Sequence, residues 1–432
     1  MDKKIVIIGG GFAGINLAKS LGGVEGFDVT LVDKNNYNFF TPLLYQVSTG
    51  MLDVSSITIP FRTLFKGKEN LNYRLGKLKK IDIKAKKVIL SSCELDYDYL
   101  VMANGTKSNF FGMKNIEENA LPMKSINQAV KLRNYLLREA ERFINSNDEV
   151  EKRKMSNIVI SGAGPSGVEV AGMLAEMRNT ILNDIYPEFK DQKMDIYLVD
   201  GSPSVLPPMR EKSQKYSKKS LEEMGIHVKL NKLVSDYKDD KVIFDDGDTI
   251  ETKTLIWTAG VVGTQFKGLP EDSYDKGNRL MVDEFFKVKN TENIFAIGDA
   301  SVMKSDPNFP EGHPQLASVA TQQGKLLAKN FKSIANHEKP KAFIYNDKGT
   351  MAIIGKSKAV ADLTTPEKTI TGWFAWFTWL FIHLFLLINY RNRISTMWNW
   401  TTAYFSKGQA NGLIIGKTAE GSMPELKKQT EV

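Results

Sequence analysis

Two runs of glycine carry the strongest chemical signal in this chain. Gly9-Gly10-Gly11-Phe12-Ala13-Gly14 and Gly162-Ala163-Gly164-Pro165-Ser166-Gly167 both fit G-x-G-x-x-G. In such a run the glycines permit a tight turn and a close backbone approach, and a helix that starts there points unpaired N–H groups at a pyrophosphate. An acid follows each run: Asp33 lies 19 residues beyond Gly14, and Asp200 lies 33 beyond Gly167. At the end of the next strand a carboxylate can accept hydrogen bonds from adenosine ribose hydroxyls. Asp200 would also repel the additional phosphate of NADPH, and no arginine follows it, so NADH is the expected nucleotide there. Its place before Gly201 also suits a surface turn. Gly298-Asp299-Ala300 ends a later apolar run and could set Asp299 against a polyol or phosphate, or cap a helix.

The elements that must position these residues follow from apolar runs. Residues 4–8 read as a buried parallel strand, 11–21 as an apolar helix and 27–32 as the next strand. Residues 157–160, a helix through Met177 and a strand over 194–199 repeat the unit about 150 residues later. A helix and loop over 178–191 account for the longer spacing to Asp200. Residues 99–103 and 254–257 read as later strands, ending at Asn104-Gly105 and Ala259-Gly260, where the backbone passes close to something bulky. A strand over 293–297 would return to the first sheet. The fold class is therefore α/β, with two Rossmann-like dinucleotide-binding domains, the second inserted in the first. The discontinuous first domain covers 1–120 and 260–335, and the insert covers 121–259. Residues 336–432 form a C-terminal domain whose helices, near 370–405, associate with a membrane.

That last assignment rests on residues 372–388, GWFAWFTWLFIHLFLLI, which are apolar on every helical face apart from Thr378 and His383. As a helix, 17 residues reach ~25 Å, short of the ~30 Å hydrocarbon core, so the segment is marginal as a span. Arg391 and Arg393, then Met397, Trp398 and Trp400, pair cations with interfacial aromatics, as suits the headgroup zone. A buried core helix is the competing reading.

With 42% hydrophobic and 25% charged residues, the chain is neither extensively disordered nor a polytopic membrane protein. The net charge of +8 is spread from Lys3 to Lys428 without a dense basic block, which argues against a nucleic-acid partner. A single cysteine, Cys93, excludes a cysteine-pair redox centre. The four histidines show no paired ligand spacing, so no metal site is expected.

The order of the motifs resembles the two-dinucleotide-binding-domain flavoproteins, and within them the type II NADH:quinone oxidoreductases. Besides the glycine runs, the resemblance rests on Phe40-Thr41-Pro42-Leu43-Leu44-Tyr45-Gln46-Val47, Asn109-Phe110-Phe111-Gly112, Trp257-Thr258-Ala259-Gly260-Val261, Gly298-Asp299 and the aromatic tail ending Arg391-Asn392-Arg393. It implies non-covalent FAD at Gly9, Gly11, Gly14, Asp33, Gly105, Gly298 and Asp299. It implies NADH at Gly162, Gly164, Gly167, Asp200 and Gly260. Glu169 matches a family glutamate that helps orient NADH and move protons. On the residues alone, a glutamate in the first helical turn also simply favours the helix dipole. The family's quinone signature A-Q-x-A-x-Q aligns with Ala317-Ser318-Val319-Ala320-Thr321-Gln322. Gln322 is retained, while Ser318 replaces the first glutamine and is too short to reach the same spot. Gln315, one helical turn away, is a substitute, and Gln46 joins the implied quinone pocket. Asn104 departs from the family's usual threonine.

The resemblance implies hydride transfer from NADH to FAD and two-electron transfer to a respiratory quinone, menaquinone or ubiquinone, without ion pumping. The protein would contribute positioning while the cofactors carry the chemistry. Homodimers joined through C-terminal parts occur in the family. The N-terminus enters a strand at once, with no signal peptide visible, so attachment to the cytoplasmic face of a bacterial plasma membrane is expected. Two alternatives stand: an FAD-dependent NADH reductase of a redox-protein acceptor, and a flavin-bound, NADH-responsive sensor.

Overall fold

A computed structural model describes residues 2–178, 186, 194–405 and 413–414. The chain forms two compact units. One comprises Met1–Phe39, Thr58–Lys107 and Val261–Asp347; the other comprises Phe40–Ile57, Ser108–Gly260 and the chain from Lys348 on.

The first unit is built on a parallel sheet in the order Ile294–Ala296, Tyr99–Met102, Lys3–Ile8, Phe27–Asp33 and Leu71–Leu75. Lys3–Ile8 is central, and its last four residues are buried, as an apolar run covered on both faces should be. The register pairs Ile8 with both Val32 and Met102, which aligns the carboxyl ends of these strands. Helix Phe12–Leu21 packs against helix Ala317–Ala335. Their approach is close enough that a Cβ at Gly324 would overlap the Ala13 carbonyl. The late strand Ile294–Ala296 beside Tyr99–Met102 brings Gly298-Asp299 to the same sheet as the first glycine run.

The second unit repeats the plan with Leu121–Pro122, Thr254–Trp257, Ile158–Ser161, Ile196–Asp200 and Ile226–Leu230, again parallel. Of the helix and loop expected over 178–191, all but Arg178 and Tyr186 lie outside the described residues. An antiparallel sheet of Thr350–Gly355, Lys358–Leu363 and Lys368–Thr371 packs on helix Pro165–Met177. Gly172 makes this packing possible, because a Cβ there would overlap the Ile354 carbonyl.

Two helices follow, Trp373–Leu386 and Tyr390–Phe405. Ala375 and Trp379 form a buried stripe that His383 continues one turn on. Trp373, Phe377, Phe381 and Phe385 form an exposed stripe on the opposite side, with Phe374 beside it 72% exposed. The helix is therefore core on one side only, which disposes of the fully buried reading. Among the described residues, no helix is long and apolar enough to cross a membrane. The guanidinium of Arg393 donates to the carbonyls of Leu387 at 2.9 Å and Phe385 at 2.8 Å. It caps the preceding helix by satisfying carbonyls left without an intrahelical partner.

Candidate functional site

The two glycine loops carry the same clasp. In the first unit, one oxygen of Asp33 accepts from Gly10 N at 2.7 Å and the other from Asn35 N at 2.8 Å. In the second, the corresponding oxygens of Asp200 accept from Ala163 N at 2.6 Å and Ser202 N at 2.7 Å. Gly9 N donates to Val32 O and Gly162 N to Val199 O, both at 2.8 Å. The 33-residue interval before Asp200 thus leaves its position in the loop unchanged. Burial pushes the Asp33 carboxyl above the usual carboxylate range, more than the N–H bonds from Asn35 and Gly10 pull it down.

Each glycine has its own reason. Gly9 and Gly162 have φ of 105° and 106°, the left-handed region that glycine tolerates best. A Cβ on Gly14 would overlap the Gly9 carbonyl, and one on Gly167 the Gly162 carbonyl. Gly11 and Gly164 behave differently: they sit just ahead of their helices, with φ of −71° and −70°, and a Cβ on either would meet nothing within 4 Å. That open cradle, lined by the N–H groups of a helix N-terminus, fits a pyrophosphate in both units. Phe61 packs under Gly10, and Asn38 Nδ2 donates to the Gly10 carbonyl at 2.7 Å. Gly105 has φ of 64° and an equally open Cβ position. Gly298 N donates to Gln323 Oε1 at 2.7 Å, which fixes the short turn bearing Asp299. In the second unit Gly260 O accepts from Asn109 N at 3.2 Å, and Trp257 Nε1 donates to Asn109 O at 2.7 Å. The Asn109–Gly112 and Trp257–Gly260 motifs are one clipped structure, with Phe110 stacked on Trp257.

Glu169 does not occupy the first turn. Its helix begins at Pro165 and holds no acid in that turn, so the dipole account falls. The side chain is instead partly buried, and desolvation pushes its carboxyl well above the ordinary range, while a hydrogen bond from the Ile353 N–H pulls partly the other way. A carboxyl in that state favours holding a proton.

Comparison with known proteins identifies the scaffold. The family profile of pyridine nucleotide-disulphide oxidoreductases matches residues 3–324, and the NDH2 C-terminal domain profile matches 348–407. The type II NADH:quinone oxidoreductase NdhA of Mycobacterium tuberculosis is 34% identical over 422 residues, covering 95% of this chain and 88% of that protein. A type II NADH:quinone oxidoreductase of Haemophilus influenzae is 30% identical over 88% of this chain and 92% of its own length. The chain belongs to the type II NADH:quinone oxidoreductase family. A solved structure of NDH2 from Plasmodium falciparum in complex with NADH superposes with a TM-score of 0.88 over 96% of this chain and 100% of that one, at 23% identity. At that identity the likeness is one of fold.

Against the family's quinone signature, the side chains of this oxidoreductase have partners of their own. Gln322 clamps the backbone of Asn346, donating to its carbonyl at 2.9 Å and accepting from its N–H at 3.1 Å. The Ser318 hydroxyl lies 2.8 Å from that of Tyr345. Gln315 is not a helical turn away on the same helix: it precedes Leu316 and the first helical residue, Ala317, and its amide reaches the Asp299 carbonyl at 3.4 Å. Gln46 is buried in the second unit, between Tyr45 and Trp400. Phe61, Asn38, Gln323, Tyr45 and Tyr345 escaped the sequence reading. Only Tyr45 stood inside a quoted motif, and the others are ordinary core or loop types whose partners come from distant parts of the chain.

Proposed function

We propose that this chain is a membrane-docked flavoenzyme that oxidises NADH and reduces a respiratory quinone, without moving ions across the membrane. The observation that supports it most directly is the duplicated clasp: two pyrophosphate cradles with matching hydrogen bonds, in a family named for NADH and quinone. The first cradle, through Gly9, Gly11, Gly14, Asp33, Gly105, Gly298 and Asp299, would hold FAD non-covalently. The second, through Gly162, Gly164, Gly167, Asp200 and Gly260, would hold NADH. Bound FAD supplies the two-electron chemistry between NADH and the quinone. The Asp33 and Asp200 carboxylates fix the glycine loops and keep lone pairs for ribose hydroxyls. Glu169, favouring its protonated form, can hold a proton close to where quinone reduction consumes two.

On this reading the quinone residues are Gln315, Ser318 and Gln322 of the first unit, where Gln322 sets the chain at Asn346, and Gln46 of the second. The exposed stripe Trp373, Phe377, Phe381 and Phe385, with Trp398 on the next helix, supports docking on a membrane surface. Large contiguous apolar exposure marks interaction sites, and aromatic rings suit the lipid interface. The cytoplasmic face of a bacterial plasma membrane and a homodimer formed through the C-terminal part belong to the same proposal. Flotation with lipid vesicles and sedimentation test them, and a Phe377→Asp, Phe381→Asp variant should lose the vesicles.

The decisive experiment is anaerobic stopped-flow absorbance of the FAD-loaded enzyme, first with NADH and then with a short-chain menaquinone or ubiquinone. Fast bleaching and fast quinone-dependent reoxidation are expected. Bleaching without reoxidation refutes the quinone assignment and favours a protein acceptor.

A further inference from the structure

Trp400, Gln46 and Tyr45 form a buried hydrogen-bond chain in the second unit. Trp400 Nε1 lies 2.7 Å from Gln46 Oε1, and Gln46 Nε2 lies 2.8 Å from the Tyr45 hydroxyl. Gln46 and Tyr45 are each only 1% exposed. The chain has a single polarity. An indole nitrogen can only donate, so the Gln46 carbonyl must face Trp400 and its amide must face Tyr45. The Tyr45 oxygen is thereby used as an acceptor, and its own proton remains to be donated. Among the described residues it is donated to none. Beside it stands Trp379, fully buried, whose Nε1 has no partner among the described residues. The Trp379 ring meets Tyr45 edge-on at 6.4 Å, lies 6.0 Å from Trp400 and stacks on His383 at 3.8 Å.

A buried donor without an acceptor costs roughly 1–3 kcal/mol, so two in one aromatic cluster call for a ligand that satisfies them. A flat molecule carrying carbonyl oxygens has the right shape and chemistry. We infer that Tyr45 donates a hydrogen bond to a carbonyl oxygen of the quinone, and that Trp400, acting through Gln46, is the positioning residue that keeps Tyr45 a donor. The inference rests on the quinone reading above. As two electrons arrive, negative charge develops on the quinone oxygens, and a fixed O–H stabilises it; no bond of Tyr45 is broken. Trp400 also ties this donor to the helix Tyr390–Phe405, whose Ile394, Met397 and Trp398 are exposed.

The test uses the FAD-loaded enzyme and four variants: Tyr45→Phe, Gln46→Glu, Trp400→Phe and the Tyr45→Phe, Trp400→Phe double. A carboxylate at 46 has no N–H, so it would take the Tyr45 proton for itself and reverse the chain while keeping its shape. Two readouts are compared: the rate at which short-chain menaquinone reoxidises the NADH-reduced enzyme, and the Kd of that quinone for the oxidised enzyme by calorimetry. Tyr45→Phe and Gln46→Glu should each slow reoxidation and weaken binding about tenfold, the worth of one hydrogen bond. Trp400→Phe should do so by about threefold or more at unchanged FAD content, with a lower melting temperature because the buried Gln46 carbonyl loses its donor. The double variant should be no worse than Tyr45→Phe alone, because both changes remove one interaction. Variants that reoxidise and bind like the parent overturn the inference, and so do losses that multiply in the double. If the parent itself is not reoxidised by quinone, the functional reading fails before the variants are compared.

Discussion

Gly172→Ala should both destabilise the second unit and retune Glu169. The added Cβ falls on the carbonyl of Ile354. That carbonyl cannot simply yield, because Ile353 pairs with Ala359 and Gly355 with Lys358, and Ile354 stands at the irregularity between those pairs. Helix Pro165–Met177 must therefore back away from the strand. Overpacking of this kind costs about 1–3 kcal/mol, and at roughly 2–4 °C per kcal/mol for a unit of this size the melting temperature should fall by about 2–12 °C. Backing away also stretches the hydrogen bond from the Ile353 N–H, the one influence that lowers the Glu169 carboxyl. Glu169 then rises further, so any limb of the pH–rate profile that reports its ionisation moves to higher pH. Glu169→Gln, which cannot ionise, should abolish that limb. Scanning calorimetry and quinone-dependent turnover across pH measure both effects. A variant that melts with the parent and keeps its pH profile would show that Gly172 does not set the helix against the strand and that this packing does not tune Glu169.

Gly11→Ala and Gly164→Ala should do the opposite to stability, since neither Cβ meets protein and both backbones suit alanine. Unfolding should be unchanged or up to about 1 kcal/mol harder, while FAD retention falls in the first variant and the KM for NADH rises in the second. Asp200→Ser should narrow the preference for NADH over NADPH, by an order of magnitude in kcat/KM, because it removes the charge that repels the additional phosphate; an unchanged ratio would show that something else discriminates. His383, its pKa lowered by burial to about 4 despite the hydrogen bond to Trp379 O, stays neutral in the folded chain. Between about pH 6.5 and 4 the unfolded chain binds this proton and the folded chain does not. Stability from this group is complete above that window and declines as the pH falls, by roughly 3 kcal/mol in all. His383→Phe should flatten that part of the acid-denaturation curve, and an unaltered slope would refute the assignment.

Periodicity exposed the parallel strands and both loop-to-helix turns, because local geometry dictates which residues can stand there. Gly9 and Gly162 need positive φ, Gly14 and Gly167 need the space, and the acids lie at strand ends, so all were visible one residue at a time. Partners set by tertiary contact were not. Nothing near Ala317 says that Gln322 will spend its amide on Asn346, or that Gln315 will precede the helix and not ride on it. Glu169 stands beyond the first turn because the helix already begins at Pro165, inside the glycine run. Nor does anything near Arg393 say that it will donate to the carbonyls of Leu387 and Phe385.

The tail shows the same division in its sharpest form. Its composition announced an apolar helix, but every face of that sequence is apolar, so no periodicity could say which side is core. The fold decides it through Ala375, Trp379 and His383, which turn toward the strands and helices of the second unit, leaving Trp373, Phe377, Phe381 and Phe385 outside. Segment Phe40–Ile57 is drawn to the same place by contacts from far along the chain. Ser56 meets Ser395 at 3.0 Å and Asn399 at 3.2 Å, and Gln46 meets Trp400. Two helices, one resting on Tyr45 through Trp379 and the next on Gln46 through Trp400, each with exposed apolar residues elsewhere, link that exposed surface with the residues proposed to meet the quinone. For an acceptor that dissolves in lipid, that link is the physical requirement: the donor must stand where the membrane delivers its substrate.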